Sequence, residues 1–257
     1  MTYLPGKFVW YEHMSSDVER ARSFYGALFG WTSDPIDMAG TPYHMIQNDA
    51  RGIGGFRPAE AGGAAMWMSY MSVEDVDAAV ARAAALGAQV LLPPTEFPPV
   101  GRGAMLADPQ GAVFSVWRSA EGDPPACGGQ PGDWCWNELV TPDDLAALSF
   151  YEQAFGYGHS SRDMGDFVYH LLTREGGAMC GGLMRTPPGA PPQPYWTPYV
   201  AVQNADMVAA RAAELGGMVC FGPEDIPDVG RFAVLADPLR VVFAILQPMM
   251  PPPAAGA

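Results

Sequence analysis

The chain has 257 residues, 49% of them hydrophobic, and a formal net charge of −14. That is apolar material for one large core or two modest ones, since domains usually run to about 100–150 residues. With no run of lysine or arginine, the acidic balance excludes nucleic acid and anionic membrane as partners, because both need a basic face, and leaves a small molecule as the expected ligand.

In chain order, "MTYLPGKFVWYEHM" has no apolar run preceded by positive charge, and no segment approaches the ~20 apolar residues of a membrane span, so the expected location is the cytoplasm. "FVWYEHM" reads as a strand whose alternation puts Trp10, Glu12 and Met14 on one face. A helix follows: Ser16 and Glu19 form a capping box, Phe24, Tyr25, Leu28 and Phe29 supply the apolar stripe, and Gly30 suits the left-handed C-terminal position. Short strands are expected around "YHMIQN" and "GIGGFR". Then come strand "MWMSYMSV", the Ala-rich helix "DVDAAVARAAALG", strand "AQVLLP", turn "PPVGRG", strand "AMLAD", turn "DPQG" and strand "AVFSVW". "EGDPPACGGQPGD" has the Pro and Gly content of a linker.

The pattern then begins again. "WYEHMSSDVERARSFYGALFGW" (10–31) matches "WNELVTPDDLAALSFYEQAFGY" (136–157) at an offset of 126, which also sets Tyr43 and His44 on Tyr169 and His170. In the second half of each copy the offset is 129, placing Trp67 on Trp196, Tyr70 on Tyr199, Arg102 on Arg231 and Asp108 on Asp237. Thr141 and Asp144, with Pro142 in the first turn, repeat the helix start. The division is a module over 5–120, a linker over 121–131, a second module over 132–248, and a frayed Pro-rich tail over 249–257. Each module holds two β-α-β-β-β units. Cys127, Cys135, Cys180 and Cys220 form no C-x-x-C pair and read as reduced thiols.

A β-α-β-β-β unit used twice per module, with "SDVERARSFYGALFGW", "VEDVDAAVARAAALGAQV" and the terminal "ADPQGAVFSVW", resembles the vicinal oxygen chelate superfamily, which includes glyoxalase I, bleomycin-resistance proteins and extradiol dioxygenases. The resemblance covers almost the whole chain. The "WNEL" at Trp136 to Leu139 is similar to two-module glyoxalase-like proteins of actinobacteria. It implies an α+β fold of tandem modules, each a curved, cleft-bearing mixed sheet with helices outside. Within that fold, activity has to be argued from the site.

The resemblance also implies a divalent metal held by His, Gln and Glu, with substrate oxygens chelated at open positions. The first-strand ligand position falls on Trp10 and Trp136, and the terminal Glu position on Ser115 and Ala244. The other two positions fall near Met68 and Thr197, and near Gly55 and Gly181. A metal site needs about three suitable donors, so no metal ligand and no cofactor is expected; Zn, Ni, Mn or Fe held by donors of another kind is the alternative.

Glu12 and Glu138 remain, two residues along the first strand from the lost ligand and on the same face. Facing an apolar cleft, each would be partly desolvated and suited to general acid or base work; the plainer reading pairs them with Arg102 and Arg231. His44 and His170 repeat with them and could complete a Glu-His pair, although Tyr43 and His44 point to opposite faces and only one can reach the cleft. Trp10, Trp67, Tyr70, Trp136, Trp196 and Tyr199, with Tyr43 and Tyr169, would supply aromatic walls for a flat apolar ligand, or pack a core. Gly111 becomes Arg240 in the second copy, which suggests a turn built differently.

"GIGG" and "CGGL" lack the strand-loop-helix setting of a phosphate loop, and Ser, His and Asp are too scattered for a nucleophilic triad. Three functions stand in order: a metal-independent binding protein of the bleomycin-resistance type for an aromatic or apolar metabolite; a glyoxalase-like lyase, isomerase or dioxygenase using Glu12 or Glu138; and an interaction module. The expected assembly is a monomer of two pseudo-symmetric modules, with a homodimer as the alternative.

Overall fold

A computed structural model describes residues 1–38, 41–60, 62–124, 130–190 and 192–249. Cys127, the centre of the linker and the end of the Pro-rich tail lie outside the described residues. The first copy runs β1 (Phe8–Ser15), α1 (Val18–Phe29), β2 (Thr32–Met38), β3 (Thr41–Asn48), β4 (Arg51–Pro58), β5 (Met66–Ser72), α2 (Val76–Ala85), β6 (Gln89–Phe97), β7 (Gly101–Ala107) and β8 (Val113–Ser119). The second repeats it as β9 (Trp134–Thr141), α3 (Asp144–Phe155), β10 (Gly158–Asp163), β11 (Val168–Thr173), β12 (Met179–Arg185), β13 (Tyr195–Ala201), α4 (Ala205–Glu214), β14 (Met218–Ile226), β15 (Gly230–Ala236) and β16 (Val242–Pro248).

Each copy forms one eight-stranded mixed sheet. The orders are β2-β3-β4-β1-β5-β8-β7-β6 and β10-β11-β12-β9-β13-β16-β15-β14, so the two β-α-β-β-β units of a copy meet at their first strands. The tandem architecture implied by the repeat is the architecture observed. Among the described residues, no helix is long and apolar enough to cross a membrane.

The helices start one or two residues later than the capping-box reading placed them. Asp17 accepts from the Arg20 amide, and Asp143 from the Ala146 amide, so the short carboxylates rather than Ser16 and Thr141 satisfy the first orphan donors. Gly30 and Gly156 close the same helices at φ 74° and 72°, the left-handed values a β-carbon would resist.

Two compact units arise, and each draws one half from either copy. The first comprises Met1–Glu12, Met68–Ala126 and Trp136–Pro198; the second, His13–Trp67, Cys127–Cys135 and Tyr199–Ala257. In the first, Tyr151 of α3 is fully buried against Phe114 of β8, and its hydroxyl donates to Asp108 at 3.1 Å while accepting from Trp196 Nε1 at 3.0 Å. In the second, Tyr25 of α1 packs on Phe243 of β16, donating to Asp237 at 3.3 Å and accepting from Trp67 Nε1 at 2.8 Å. Burial and the adjacent carboxylate hold both phenols well above their usual pKa. Thus the D-P turn of one copy receives the helix of the other.

The turn at Arg240 is built like its counterpart, contrary to expectation. Gly111 and Arg240 both take positive φ, 105° and 69°, and each amide donates to the carbonyl of the turn aspartate at 2.9 Å. Arg240 therefore holds a left-handed conformation that L side chains disfavour.

Candidate functional site

Strand alternation and the helix contacts together decide which face carries the candidate site. On β1, the His13 ring meets Tyr25 of α1, so Trp10 and Glu12 turn away from the helices. On β5, Trp67 is bonded to Tyr25, so Met68 and Tyr70 lie on the helix-free face. On β8, Phe114 takes the helix side and Ser115 and Trp117 the free side. Tyr70 stands in register with Ser115. On this face the Tyr70 hydroxyl donates to Glu12 Oε2 at 2.5 Å, and Glu12 is only 8% exposed. Trp117 stands edge-on to Tyr70 at 6.0 Å and lies 6.0 Å from Phe97, all three half-buried. Gly103 makes room for the indole: a β-carbon there would approach its Cε3 to 2.7 Å.

In the second copy, Trp136 Nε1 donates to the Tyr169 hydroxyl at 2.9 Å, and that hydroxyl donates to Glu138 Oε2 at 2.8 Å. Burial and then Glu138 push the Tyr169 phenol well above its usual pKa. Gly182 sits beside Glu138 in the parallel β12–β9 register, and a β-carbon on it would collide with the Tyr169 hydroxyl. The first copy repeats this between Gly55 and Tyr43. Register fixes the equivalence, since Met45 pairs with Gly55 and Leu171 with Gly182. The position sought near Gly181 is therefore Gly182.

Several expected site residues lie elsewhere. Trp67 and Trp196, each 5% exposed, belong to the helix-packed cores. Arg102 is clasped by Asp77 and Glu96, and Arg231 by Asp206 and Asp225, near the surface; neither is the partner the glutamates were expected to have. Tyr199 is buried, in register with Ala244.

The Glu-His pair is not formed in the second copy. Tyr169 takes the free face, so His170, 3% exposed, turns to the helix side. There its Nδ1 meets Ser161 Oγ at 2.8 Å and its Nε2 meets Asp144 Oδ2 at 3.3 Å, with Arg185 on the same carboxylate at 2.7 Å. Burial raises Asp144, but the hydrogen bonds from Arg185 and His170 outweigh it and hold the acid below its usual value. A Ser-His-Asp grouping thus exists despite its scatter in sequence, anchored by Arg185. His44 is half-buried; burial first, and Arg22 second, lower its pKa.

Sequence reasoning also missed His13. It is fully buried among Tyr25, Phe56 and Trp67, 2.8 Å from Asp237, where the second copy has Leu139. The only advance signal was a polar residue in the helix-facing register of β1.

The metal implied by the fold finds no matching donors. Its positions hold Trp10, Gly55, Met68 and Ser115 in one copy and Trp136, Gly182, Thr197 and Ala244 in the other, offering at most one hydroxyl each. Among the described residues, no group of three or more His, Cys, Asp or Glu could hold a metal ion.

Comparison with known proteins bears on family and fold. A glyoxalase-like domain profile matches residues 12–117. CFP32 of Mycobacterium bovis, named as a candidate glyoxylase, is 36% identical over 253 residues, 96% of either chain. The anthracycline biosynthesis protein DnrV of Streptomyces peucetius is 31% identical, covering 95% of this chain and 94% of its own. Among solved structures, the Mn(II)-bound glyoxalase of Novosphingobium aromaticivorans superposes with a TM-score of 0.65 at 18% identity, over 95% of this chain and 82% of its own. A homoprotocatechuate 2,3-dioxygenase variant of B. fuscum gives 0.64 at 15%, over 97% and 73%. The chain belongs to the glyoxalase-like family of the vicinal oxygen chelate superfamily.

Proposed function

We propose that this protein binds a flat aromatic or apolar small molecule on the helix-free face of its first copy, using side chains where metal-dependent relatives of the fold use a cation. The observation that carries the reading is the half-buried set Tyr70, Trp117 and Phe97 beside the buried Glu12 carboxylate. Aromatic walls with one oriented polar group suit a planar ligand with a polar edge. An anthracycline is such a molecule, and one relative is named for anthracycline biosynthesis. The net charge of −14 adds nothing that would draw a nucleic acid or an anionic membrane. The working unit is the single chain, in the cytoplasm, where thiols such as Cys135, Cys180 and Cys220 stay free.

The test is quenching of tryptophan fluorescence by 1,2-dihydroxyanthraquinone, in the natural chain and in Trp117→Leu, which installs the residue found at the matching position 246. Saturable binding weakened at least tenfold by the substitution is expected. No saturable binding, or equal binding by the variant, overturns the reading. A second reading, proton transfer by Glu12 or Glu138, is favoured by the Tyr-Glu hydrogen bonds. It requires a turnover that is lost in Glu12→Gln or Glu138→Gln.

A further inference from the structure

We propose that in the second copy a phenol has replaced the divalent cation of this fold, with the Tyr169 hydroxyl standing where the first-half ligands would converge. Three observations meet at that atom. Trp136, at the first-strand ligand position, donates its indole N–H to the hydroxyl oxygen. Gly182, at the position ending the first half, has no side chain, and the phenol fills the space a β-carbon would need. Glu138, in register with Gly182, accepts the hydrogen bond that the phenol donates.

A cation joins strands by drawing several donors to one point; here a chain of hydrogen bonds, N–H to phenol to carboxylate, joins β9 to β11 over β12 instead. Glycine at 182 is what allows it, since any side chain would expel the ring. Tyr43 stands against Gly55 in the first copy as Tyr169 does against Gly182. This inference holds whichever molecule the first copy binds, and it can fail while the ligand reading stands.

The experiment uses the full chain, purified without a tag and dialysed in turn against Mn(II), Zn(II), Ni(II) and Fe(II), with metal counted by plasma mass spectrometry. Less than about a tenth of an equivalent of each is expected. One equivalent that disappears in Glu138→Gln overturns the proposal. In parallel, Tyr169→Phe keeps the ring and removes the hydroxyl. If the hydroxyl joins these strands, the melting temperature falls by about 4 °C, the size of shift a chain this long shows for one lost buried hydrogen-bond network. An unchanged melt would show that the hydroxyl joins nothing, and would overturn it too.

Discussion

Tyr151 donates its phenolic proton to Asp108 across 3.1 Å, from a helix of one copy to a turn of the other. The counterpart, Tyr25 to Asp237, spans 3.3 Å but shares its carboxylate with His13 at 2.8 Å. Removing the hydroxyl therefore strands unequal amounts of buried polar surface. Tyr151→Phe leaves the Asp108 Oδ2 contact and the Trp196 indole N–H without their partner, at a cost of about 2 kcal/mol. Tyr25→Phe strands Trp67 but leaves Asp237 its histidine, and should cost about half as much. Urea unfolding of both variants measures the difference; equal losses would mean that His13 contributes nothing to holding Asp237.

Arg240 keeps φ at 69° in a turn whose first-copy counterpart is Gly111. Its side chain offers little in return beyond a 3.4 Å contact with the Met218 sulfur. A left-handed non-glycine residue is held at about 1–2 kcal/mol, part of which glycine's greater unfolded-state freedom offsets. Arg240→Gly is thus expected to raise stability by about 0.5–1 kcal/mol, seen as a higher urea midpoint at unchanged slope. A lower midpoint would mean the arginine makes a contact stronger than its backbone strain.

The repeat made the fold legible, because two copies in constant register reveal element order even where one copy is irregular. Two strands escaped individual notice for a physical reason: β2 contains Pro35 and two aspartates, and every residue of β10 is exposed. Both are edge strands, which neither bury an alternating face nor need every amide. The site was half legible. Alternation alone put Trp10 and Glu12 together, and it foresaw that only one of Tyr43 and His44 could face the cleft. It could not foresee that the tyrosines would reach over Gly55 and Gly182, nor that Trp67 and Trp196 face helices, since both depend on which side of the sheet the helices cover. The "ADP" aspartates were read as part of a repeat, and their partnership across copies has no local signal.

Asp144 is expected to add to the acid dependence of the second copy's stability. Its pKa is lowered in the folded state, so its contribution is complete above the unfolded carboxylate value of about 3.9 and is lost as pH falls through the lower folded value. Asp144→Asn should be less stable at pH 7 and lose less on going from about pH 4 to pH 2, because the group that must be protonated is gone. Urea midpoints across that range decide it: parallel acid limbs for the two proteins would mean that Arg185 and His170 do not depress this carboxylate.

Arg102 and Glu12 give opposite expectations, although the plainer sequence reading paired one with the other. Arg102 makes a two-pronged bond to Asp77 at 2.8 Å and reaches Glu96 at 3.1 Å, fastening α2 to β6 and β7 in solvent. Solvent and salt screen such a clasp, and the guanidinium is already engaged. Glu12 instead lies buried on the helix-free face, held by Tyr70 next to Trp117. Arg102→Met should leave the affinity for 1,2-dihydroxyanthraquinone within a factor of two. Tyr70→Phe, which removes the hydroxyl bonded to Glu12 while keeping the ring that stands against Trp117, should change it severalfold. The same fluorescence titration reads both. If Arg102→Met weakens binding and Tyr70→Phe does not, the ligand sits over the rim of β6 and β7 rather than over Glu12.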